Sequence, residues 1–262
     1  MAKLDWGVPG SHIFEAGVDQ GVLYVADQAA VPWVGLVSVD ESPTGGSPRP
    51  VYIDGVKFSN TSSAEEFEGS LTAFTYPDLF AMCDGSIQAF PGMFLKHQRR
   101  KSFGLSYRTK VGNEIKGVDL AYKIHILYNL LASPASPSNQ SLGDEVEALN
   151  FTWNLTSRPE IAPGFRPTAH VVIDSRFTHP SALVDVENQL YGTNMIVPSL
   201  PSLVDLLAIF DTYGELVVID NEDGTFDLIG PSTMLTVPGD GTFTVNADSV
   251  VDNGDGSYDV SS

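Results

Sequence analysis

Strict alternation of apolar and polar residues, in four segments between residues 64 and 157, limits the fold of this chain more than any other feature of its sequence. A period of two is the repeat of a β-strand, whose successive side chains point to opposite faces of a sheet. The apolar residues of the four segments are Phe67, Gly69, Leu71 and Ala73; Phe103, Leu105, Tyr107 and Val111; Tyr122, Ile124, Ile126, Tyr128 and Leu130; and Leu149, Phe151, Trp153 and Leu155. Strands with one apolar and one polar face are typical of an antiparallel sheet that is covered on one side only.

Shorter elements surround these four strands. Further strands are predicted at 22–25, 33–39 and 169–173, and long loops at 77–102 and 133–144. A two-residue hairpin turn is predicted at Asp54–Gly55, because Asp-Gly supplies the positive φ angles of a type I′ turn.

Two helices are predicted after the strands. The apolar stripe of the first consists of Leu183, Val186 and Leu190. Gly192 ends that helix, and the second runs from a capping box formed by Ser202 and Asp205 to Gly214. Both stripes are expected to pack on the sheet, which gives a mainly β protein with a few helices, built as an antiparallel sandwich or barrel.

The sequence changes character after residue 214. Asp-Gly pairs recur at Asp223–Gly224, Asp240–Gly241 and Asp255–Gly256, each followed by Thr or Ser and then an aromatic residue. They predict hairpin turns, and hence a domain at 1–214 with a small acidic β-hairpin extension at 215–262. The acidic runs 220–224 and 252–256 also suit calcium, but they lack the spacing and the closing Glu of an EF-hand, so turn geometry explains them better.

Charge is divided unevenly along the chain. Residues 177–262 contain fourteen acidic residues and no Lys or Arg, whereas eight of the fourteen basic residues lie between Lys96 and Lys123. Complementary patches of this kind suit head-to-tail contact between copies, although an acidic surface with one basic loop is the alternative. The formal net charge of −19 argues against a sequence-specific binder of duplex DNA.

Motifs for catalysis or cofactor binding are weak throughout the sequence, and its many carboxylate pairs leave a glycosidase-type pair open without singling one out. The five histidines are scattered without the spacing of a zinc site, and no G-x-S-x-G, P-loop or G-x-G-x-x-G motif occurs. The chain is therefore predicted not to be an enzyme and to need no metal or cofactor. Its single cysteine, Cys83, cannot form an internal disulfide. No apolar run approaches the roughly 20 residues that span a bilayer, and no signal peptide opens the sequence, so a soluble protein without a membrane partner is expected.

The polar faces of the four strands form the candidate functional site. They either face solvent as a plain sheet or line the water-filled lumen of a ring closed by several copies. The lumen-lining candidates are Glu66, Glu68, Ser70, Thr72, Arg108, Lys110, Lys123, His125, Asn129, Asn150, Thr152, Asn154 and Thr156. The candidates for contact between subunits or rings are Lys96, Arg99, Arg100 and Lys101, a basic loop that also has the composition of a nucleic-acid or nuclear-import patch or of a plain solvated loop.

A set of short motifs resembles the major tail proteins of long-tailed actinobacterial phages. These motifs are Trp6-Gly-Val-Pro-Gly10, the run from Phe14 to Tyr24, Val31-Pro-Trp33, Ala64-Glu-Glu-Phe67, Tyr76-Pro-Asp78, the run from Arg99 to Arg108, and the run from Phe151 to Pro159. The similarity extends from residue 1 to about residue 212, and 215–262 resembles the variable C-terminal additions of that family.

The resemblance implies a tail tube protein with the β-fold of that type. Such subunits form hexameric rings, each subunit contributes four strands to an inner β-barrel, and stacked rings make the conduit for DNA ejection. It implies no cofactor, passage of DNA without specific binding, and a place in the virion tail after assembly in the host cytoplasm. The implied partners are further copies of the chain and the tape measure, tail terminator and distal tail proteins.

Two expectations follow from the conduit. The loops 77–102 and 133–144 would bridge subunits or rings. Arg108, Lys110 and Lys123 are expected to pair with Glu66 and Glu68 across strands. The electrostatic field inside the conduit would then be set by acidic residues. The alternatives are a head–tail junction protein that forms a single ring of the same fold, and a host- or carbohydrate-binding β-sandwich that uses the C-terminal extension for recognition.

Overall fold

The computed structural model describes residues 7–46, 48–54, 56–62, 65–134 and 149–213, together with short strands from residue 216 onward. The strands of the first part of the chain are β1 (Ile13–Val25), β2 (Val31–Trp33), β3 (Leu36–Glu41), β4 (Thr44–Gly45), β5 (Pro48–Ile53), β6 (Val56–Ser62), β7 (Glu65–Glu66), β8 (Glu68–Ala73), β9 (Ile87–Phe90), β10 (Met93–Leu95), β11 (Phe103–Asn113), β12 (Gly117–Pro134), β13 (Phe151–Ser157) and β14 (His170–Asp174). The helices are a 3-10 turn (Asp78–Phe80), α1 (Ala81–Asp84), α2 (Pro180–Tyr191) and α3 (Leu203–Tyr213).

One antiparallel sheet organises the molecule, with strands in the order β2-β1-β11-β12-β13-β8-β3 and with β14 paired to β12. The four strands predicted from the alternation are β8, β11, β12 and β13, and they are consecutive neighbours in this sheet. The prediction of a mainly antiparallel β fold with few helices is therefore confirmed. Within the described residues the hydrogen-bonded path ends at β2 and β3, so the sheet does not close into a barrel.

The inner core lies on the face enclosed by the two halves of the sheet. Phe80, from the turn before α1, is fully buried among Trp33, Phe103 and Trp153, with ring centroids 4.6, 5.3 and 5.0 Å away. Offset and edge-on ring contacts of this kind stabilise a core beyond the area that they bury. Other members of this core are Leu23, Val25, Leu71, Ala73, Cys83, Leu105, Tyr107, Leu127, Leu130, Ala132 and Leu155.

A second core covers the opposite face of β11 and β12. Helices α2 and α3 and strand β14 pack there, and the buried residues are Val22, Tyr24, Ile124, Ile126, Tyr128, Ile173, Val186, Leu190 and Leu206. The prediction that both helical stripes pack on the sheet is confirmed. The expectation of a sheet covered on one side only is wrong for β11 and β12. The helices cover the face of β11 that alternation left to solvent, whereas in β12 the helices cover the apolar face and the polar face of His125 lies toward the inner core.

A change of face within β12 explains part of this difference. Asn129 has a positive φ of 48°, and the pairing of β12 passes from β14 to β13 at this point. Before Asn129, Ile124 and Ile126 point to the helices; after it, Leu130 points to the inner core. The predicted alternation placed all three on one face, and a local irregularity of this type reverses that assignment.

Three other elements differ from their predictions. β1 spans thirteen residues rather than four, with pairing irregularities that disguise its period in the sequence. The predicted strand 33–39 is two strands, β2 and β3, separated at Gly35, whose φ is +95°. The predicted loop 77–102 contains the 3-10 turn, α1 and the hairpin β9–β10.

Local turn and cap predictions agree with the structure. β5 and β6 form the predicted hairpin, with Ile53 opposite Val56 and Asp54 at a φ of 50°. Ser202 Oγ accepts a hydrogen bond from the backbone N–H of Asp205 at 3.2 Å, and the Asp205 carboxylate accepts one from the backbone N–H of Ser202 at 3.2 Å. This reciprocal pair is the capping box that opens α3.

The C-terminal strands form sheets of their own. They are β15 (Leu216–Asp220), β16 (Phe226–Ile229), β17 (Leu235–Thr236), β18 (Thr244–Val245), β19 (Ser249–Asp252) and β20 (Ser257–Ser261). Two hairpins join in the order β16-β15-β20-β19, and β17 pairs with β18. The three predicted Asp-Gly turns, the calcium alternative at 220–224 and 252–256 apart from its first residues Asp220 and Asp252, and most of the loop 133–144 fall outside the described residues. Among the described residues, no helix has both the length and the apolar character needed to span a membrane.

Candidate functional site

One group of lumen candidates shares an accessible face formed by β8 and β13. Thr152 lies opposite Thr72 and Asn154 opposite Ser70, and the two threonine hydroxyls are 3.2 Å apart. Directly opposite residues of an antiparallel pair point to the same face, so these side chains make a continuous row. Asn154 is exposed, and the other three side chains are partly exposed.

Neighbouring strands extend this row in both directions. On β3, Ser38 lies opposite Thr72 and Asp40 opposite Ser70. On β12, Ser133 lies opposite Asn154 and Leu131 opposite Thr156. We call this set the hydroxyl face; its members are Ser38, Asp40, Glu68, Ser70, Thr72, Leu131, Ser133, Thr152, Asn154 and Thr156. It offers hydrogen-bonding groups and few charges to whatever contacts it.

The charged candidates on β11 and β12 do not belong to the hydroxyl face. Arg108 lies opposite Ile124 and therefore on the side of the helices, whereas His125 lies opposite Tyr107 on the side of the inner core. Lys110 shares the side of Arg108, and Lys123 shares the side of His125. The grouping of all the polar residues on one face is therefore wrong, because alternation within each strand does not set the register between strands.

The ion pairs of these residues also differ from the expected ones. Arg108 donates from Nε to Asp19 Oδ1 at 2.9 Å and lies over the ring of Tyr122, with its guanidinium carbon 4.5 Å from the ring centroid. Lys123 pairs with Glu15. Both acids come from β1, the direct neighbour of β11, whereas Glu68 belongs to β8 on the far side of β13, and Glu66 belongs to β7, which pairs with β4 outside the main sheet. The expected pairing with Glu66 and Glu68 is wrong for this reason.

The remaining lumen candidates are dispersed. Glu66 lies in β7 opposite Thr44, and Asn150 is exposed just before β13. Asn129 donates from Nδ2 to Glu160 Oε1 at 3.1 Å. Lumen lining itself remains a prediction for each of these residues.

The basic loop is anchored through its backbone and through one ion pair. Lys96 Nζ lies 3.2 Å from Asp84 Oδ2, and the other oxygen of that carboxylate accepts a hydrogen bond from Trp153 Nε1 at 2.9 Å. The backbone N–H of Lys101 donates to the carbonyl of Met82 at 3.1 Å. Arg99, Arg100 and Lys101 have exposed side chains, so the loop holds three cations against α1 without burying them.

The hairpin β9–β10 stands next to this loop and exposes apolar side chains. Its residues with at least 45% exposure are Ile87, Phe90, Met93, Phe94 and Leu95. Phe90 is 67% exposed, whereas Phe80, ten residues earlier, is fully buried in the inner core. Contiguous exposed apolar residues on a two-stranded hairpin mark a surface for contact with another chain. We call these five residues the apolar hairpin.

A cluster that the sequence did not reveal lies at one end of the inner core. His125 Nδ1 and His170 Nε2 are 3.1 Å apart, and His170 Nδ1 is 3.2 Å from Glu41 Oε1. His125 Nε2 is 3.0 Å from the hydroxyl of Thr109, and its ring stacks on Tyr107 at a centroid distance of 4.6 Å. The histidines and the glutamate come from β12, β14 and β3, so no local spacing in the sequence could have signalled the cluster.

Burial and hydrogen bonding shift the acidity of this cluster. Burial lowers the pKa of His125 to about 4, so the imidazole is neutral at physiological pH. The hydrogen bond with His170 lowers the pKa of the Glu41 carboxyl below its ordinary value. Burial raises the pKa of the Tyr107 hydroxyl well above its ordinary value. The cluster therefore holds neutral His125 beside an ionised carboxylate.

Comparison with known proteins gives only distant similarities. No protein-family model matches the sequence, and no curated protein is similar to it. A chain of the sheath–tube complex of an extracellular contractile injection system is 14% identical with a TM-score of 0.31, and the match covers 59% of this chain and 88% of that one. The sheath/tube terminator of such a system is 12% identical with a TM-score of 0.30, covering 65% and 99%. A chain of the anti-feeding prophage baseplate is 11% identical with a TM-score of 0.32, covering 66% and 97%. Superpositions this weak establish neither a family nor a function for the chain.

Proposed function

We propose that this chain is a structural phage tail protein, whose copies form rings of six that stack into the tail tube and so build the conduit for DNA ejection. The motifs that resemble major tail proteins support this proposal, and so does the mainly antiparallel sheet with accessible edges at β2 and β3. The protein would be made in the host cytoplasm and act in the virion. Its partners would be further copies and the tape measure, tail terminator and distal tail proteins.

The observation that carries the proposal is the apolar hairpin beside the basic loop. Five large apolar side chains and three cations, all exposed, lie within the single stretch 87–101 of the described chain. A protein that acts as a monomer gains nothing from exposing this much apolar surface. Contact with a second copy would bury the hairpin, while Arg99, Arg100 and Lys101 would meet carboxylates of a chain whose net charge is −19.

The hydroxyl face has the chemistry that the wall of such a conduit needs. Its Ser, Thr and Asn side chains hydrogen-bond to water, while its only charged members, Asp40 and Glu68, repel phosphate. The charged candidates Arg108 and Lys123 are already paired with carboxylates of β1. A wall of this composition would let DNA pass without holding it. In this proposal residues 1–214 build the ring, and residues 215–262 form an extension of it.

Charge reversal in the basic loop tests the assembly. Arg99→Glu combined with Arg100→Glu should lower the fraction of protein that sediments as filaments at least about tenfold, because two attractive contacts per subunit become repulsive. Negative-stain electron microscopy and analytical ultracentrifugation supply the readout.

The matched control is Arg158→Glu combined with Arg166→Glu, which makes the same charge change at two exposed residues outside the loop. This control should assemble as the parent protein does. Normal filaments from the loop variant would remove the basis for the assignment, and single rings from the parent protein would favour the head–tail junction instead. A parent protein that remains monomeric at every concentration would overturn the proposal.

A further inference from the structure

The histidine cluster has the donor atoms of a transition-metal site. His125 Nδ1 and His170 Nε2 face each other at 3.1 Å, and donor atoms of Glu41, His125 and His170 all lie within 4.8 Å of one another. Two nitrogen atoms bound to one tetrahedral zinc ion, each at about 2.0–2.1 Å, are separated by about 3.4 Å. The two imidazoles therefore need to move apart by only a few tenths of an ångström to accept an ion between them.

The outward nitrogen of each ring already has the partner that a metal-bound histidine requires. Thr109 Oγ1 lies 3.0 Å from His125 Nε2, and Glu41 Oε1 lies 3.2 Å from His170 Nδ1. A ligand histidine usually gives its second N–H to a hydroxyl, carbonyl or carboxylate, which fixes the tautomer and leaves the other nitrogen free for the ion. Here both rings are held this way, and the nitrogens that remain for an ion are the two that face each other at 3.1 Å.

The surroundings favour a cation and fix the geometry. The carboxylate of Glu41 supplies a negative charge beside His170, and Tyr107 holds the ring of His125 in a parallel stack with an interplanar angle of 5°. All of these side chains extend from strands of the main sheet, and ligands on rigid strands are positioned better than ligands on loops. The side chain of Glu41 is 37% exposed, so an ion and its water ligands can reach the cluster from solvent.

We propose that His125 Nδ1 and His170 Nε2 bind one divalent late transition metal such as Zn²⁺, that Glu41 and Thr109 orient the two rings, and that water completes the coordination. Imidazole nitrogen suits zinc, nickel, cobalt and copper, whereas it is a poor ligand for calcium or magnesium. Because His125 belongs to β12 and His170 to β14, the bound ion would link these two neighbouring strands, while Glu41 contacts His170 from β3, the last strand of the sheet path. The site would thus be a structural clip near the accessible edge of the sheet.

Metal titration of the full-length protein after treatment with a chelator tests the proposal. Isothermal titration calorimetry with Zn²⁺ should give one site per chain, and Co²⁺ should produce visible absorption bands of a nitrogen-ligated ion. The Tm should rise with the free Zn²⁺ concentration, because an ion that binds only the folded state stabilises it.

Two variants identify the ligands even if a histidine substitution prevents folding. His170→Ala should abolish binding, and Thr109→Val, which keeps the shape of the side chain, should weaken Zn²⁺ binding by about 10–100-fold. His12→Ala and Thr72→Val are the matched controls, since both residues lie outside the cluster, and neither should change the affinity. Absence of a saturable site in the parent protein, or equal affinity in Thr109→Val and Thr72→Val, would overturn the proposal and leave the cluster a hydrogen-bonded chain.

Discussion

At the scale of single residues, Arg108 shows how a charge is accommodated between a sheet and its covering helices. Its side chain is 20% exposed, its guanidinium makes two hydrogen bonds to Asp19, and it lies over the ring of Tyr122. A two-point Arg–carboxylate contact stabilises more than a single exposed ion pair, because the planar group and both oxygens are fixed. If the acid is removed, a largely covered cation is left without its partner.

Asp19→Asn tests this arrangement. We expect it to lower the free energy of unfolding by about 1–3 kcal/mol, the usual cost of breaking a hydrogen bond to a charged group in a partly buried site. Urea denaturation measures the change. Asp119→Asn, at an exposed position of β12, should cost less than about 0.5 kcal/mol. Similar losses in the two variants would mean that the Arg108 contact adds nothing to stability.

The carboxylate of Asp174 accounts for part of the loss of folding stability that we expect at low pH. Its carboxylate accepts hydrogen bonds from Arg176, including one from Nε at 2.9 Å, and these lower its pKa below the ordinary value of 3.8. The unfolded chain therefore binds a proton at a higher pH than the folded chain does. The stabilisation from Asp174 is present above about pH 4 and is lost as the pH falls through the folded pKa.

Asp174→Asn should therefore flatten the loss of stability between about pH 5 and about pH 2. The measurement is the urea midpoint as a function of pH, with Asp119→Asn as the control that should keep the slope of the parent protein. If Asp174→Asn lost stability with acid as steeply as the parent protein does, the hydrogen bonds to Arg176 would not contribute in solution.

The candidate site could be predicted from the sequence only in part, and single residues show why. Thr72 and Thr152 were assigned to the same polar face, and they are hydrogen-bonded neighbours. Arg108 and His125 were also assigned to one face, yet they lie on opposite sides of the sheet. Each strand's alternation is a local property, whereas the register between strands depends on turns and irregularities that the alternation does not encode. The pairing of His125 with His170 depends on that register and was missed.

At the scale of elements, α3 shows how much one short motif determines. Ser202 and Asp205 satisfy each other's backbone N–H groups at the start of the helix, where four such groups lack intrahelical partners. The cap sets where α3 begins, and so which of its residues, including Leu206 and Phe210, face the second core.

Ser202→Ala should lower the free energy of unfolding by about 1 kcal/mol, the typical value of an N-cap. Ser181→Ala is the matched control, because Ser181 is exposed in the first turn of α2. Among the described contacts its backbone N–H donates to His179, and its hydroxyl makes no capping hydrogen bond. Thermal and urea unfolding of both variants measure the difference. Equal stability of the two would show that the capping box does not stabilise α3 in the folded protein.

The elements that could be predicted are those whose signals are local. β8, β11, β12 and β13 alternate cleanly, and each was recognised. β1 is predicted only over its last four residues, 22–25, because its pairing shifts between Ala16 and Val18 and again between Asp19 and Val22, and these shifts interrupt the period. The sequence predicts a loop where the hairpin β9–β10 forms, because the apolar residues of this hairpin are exposed and do not alternate about a core.

At the scale of the whole molecule, the hydrophobic cores and the most acidic segment lie in different parts of the chain. Among the residues whose side chains the structure describes, both cores are built from residues between Val18 and Phe210. Residues 215–262 contain ten of the acidic residues and no basic ones. A chain cut after Gly214 therefore keeps every residue of both cores, while its formal net charge falls from −19 to −9.

We expect the 1–214 chain to unfold cooperatively with a Tm within a few degrees of the parent protein, because the lost segment contributes to neither core. It should also assemble at lower ionic strength than the parent protein. Acidic copies repel each other and salt screens that repulsion, so a chain with less net charge needs less salt to assemble. Differential scanning calorimetry and sedimentation over a salt series measure the two effects. A large fall in Tm would show that the C-terminal strands pack on the rest of the chain. If the 1–214 chain failed to assemble, the carboxylates of 215–262 would be the partners of Arg99 and Arg100. The contact between copies would then join the basic loop of one copy to the acidic C-terminal segment of the next.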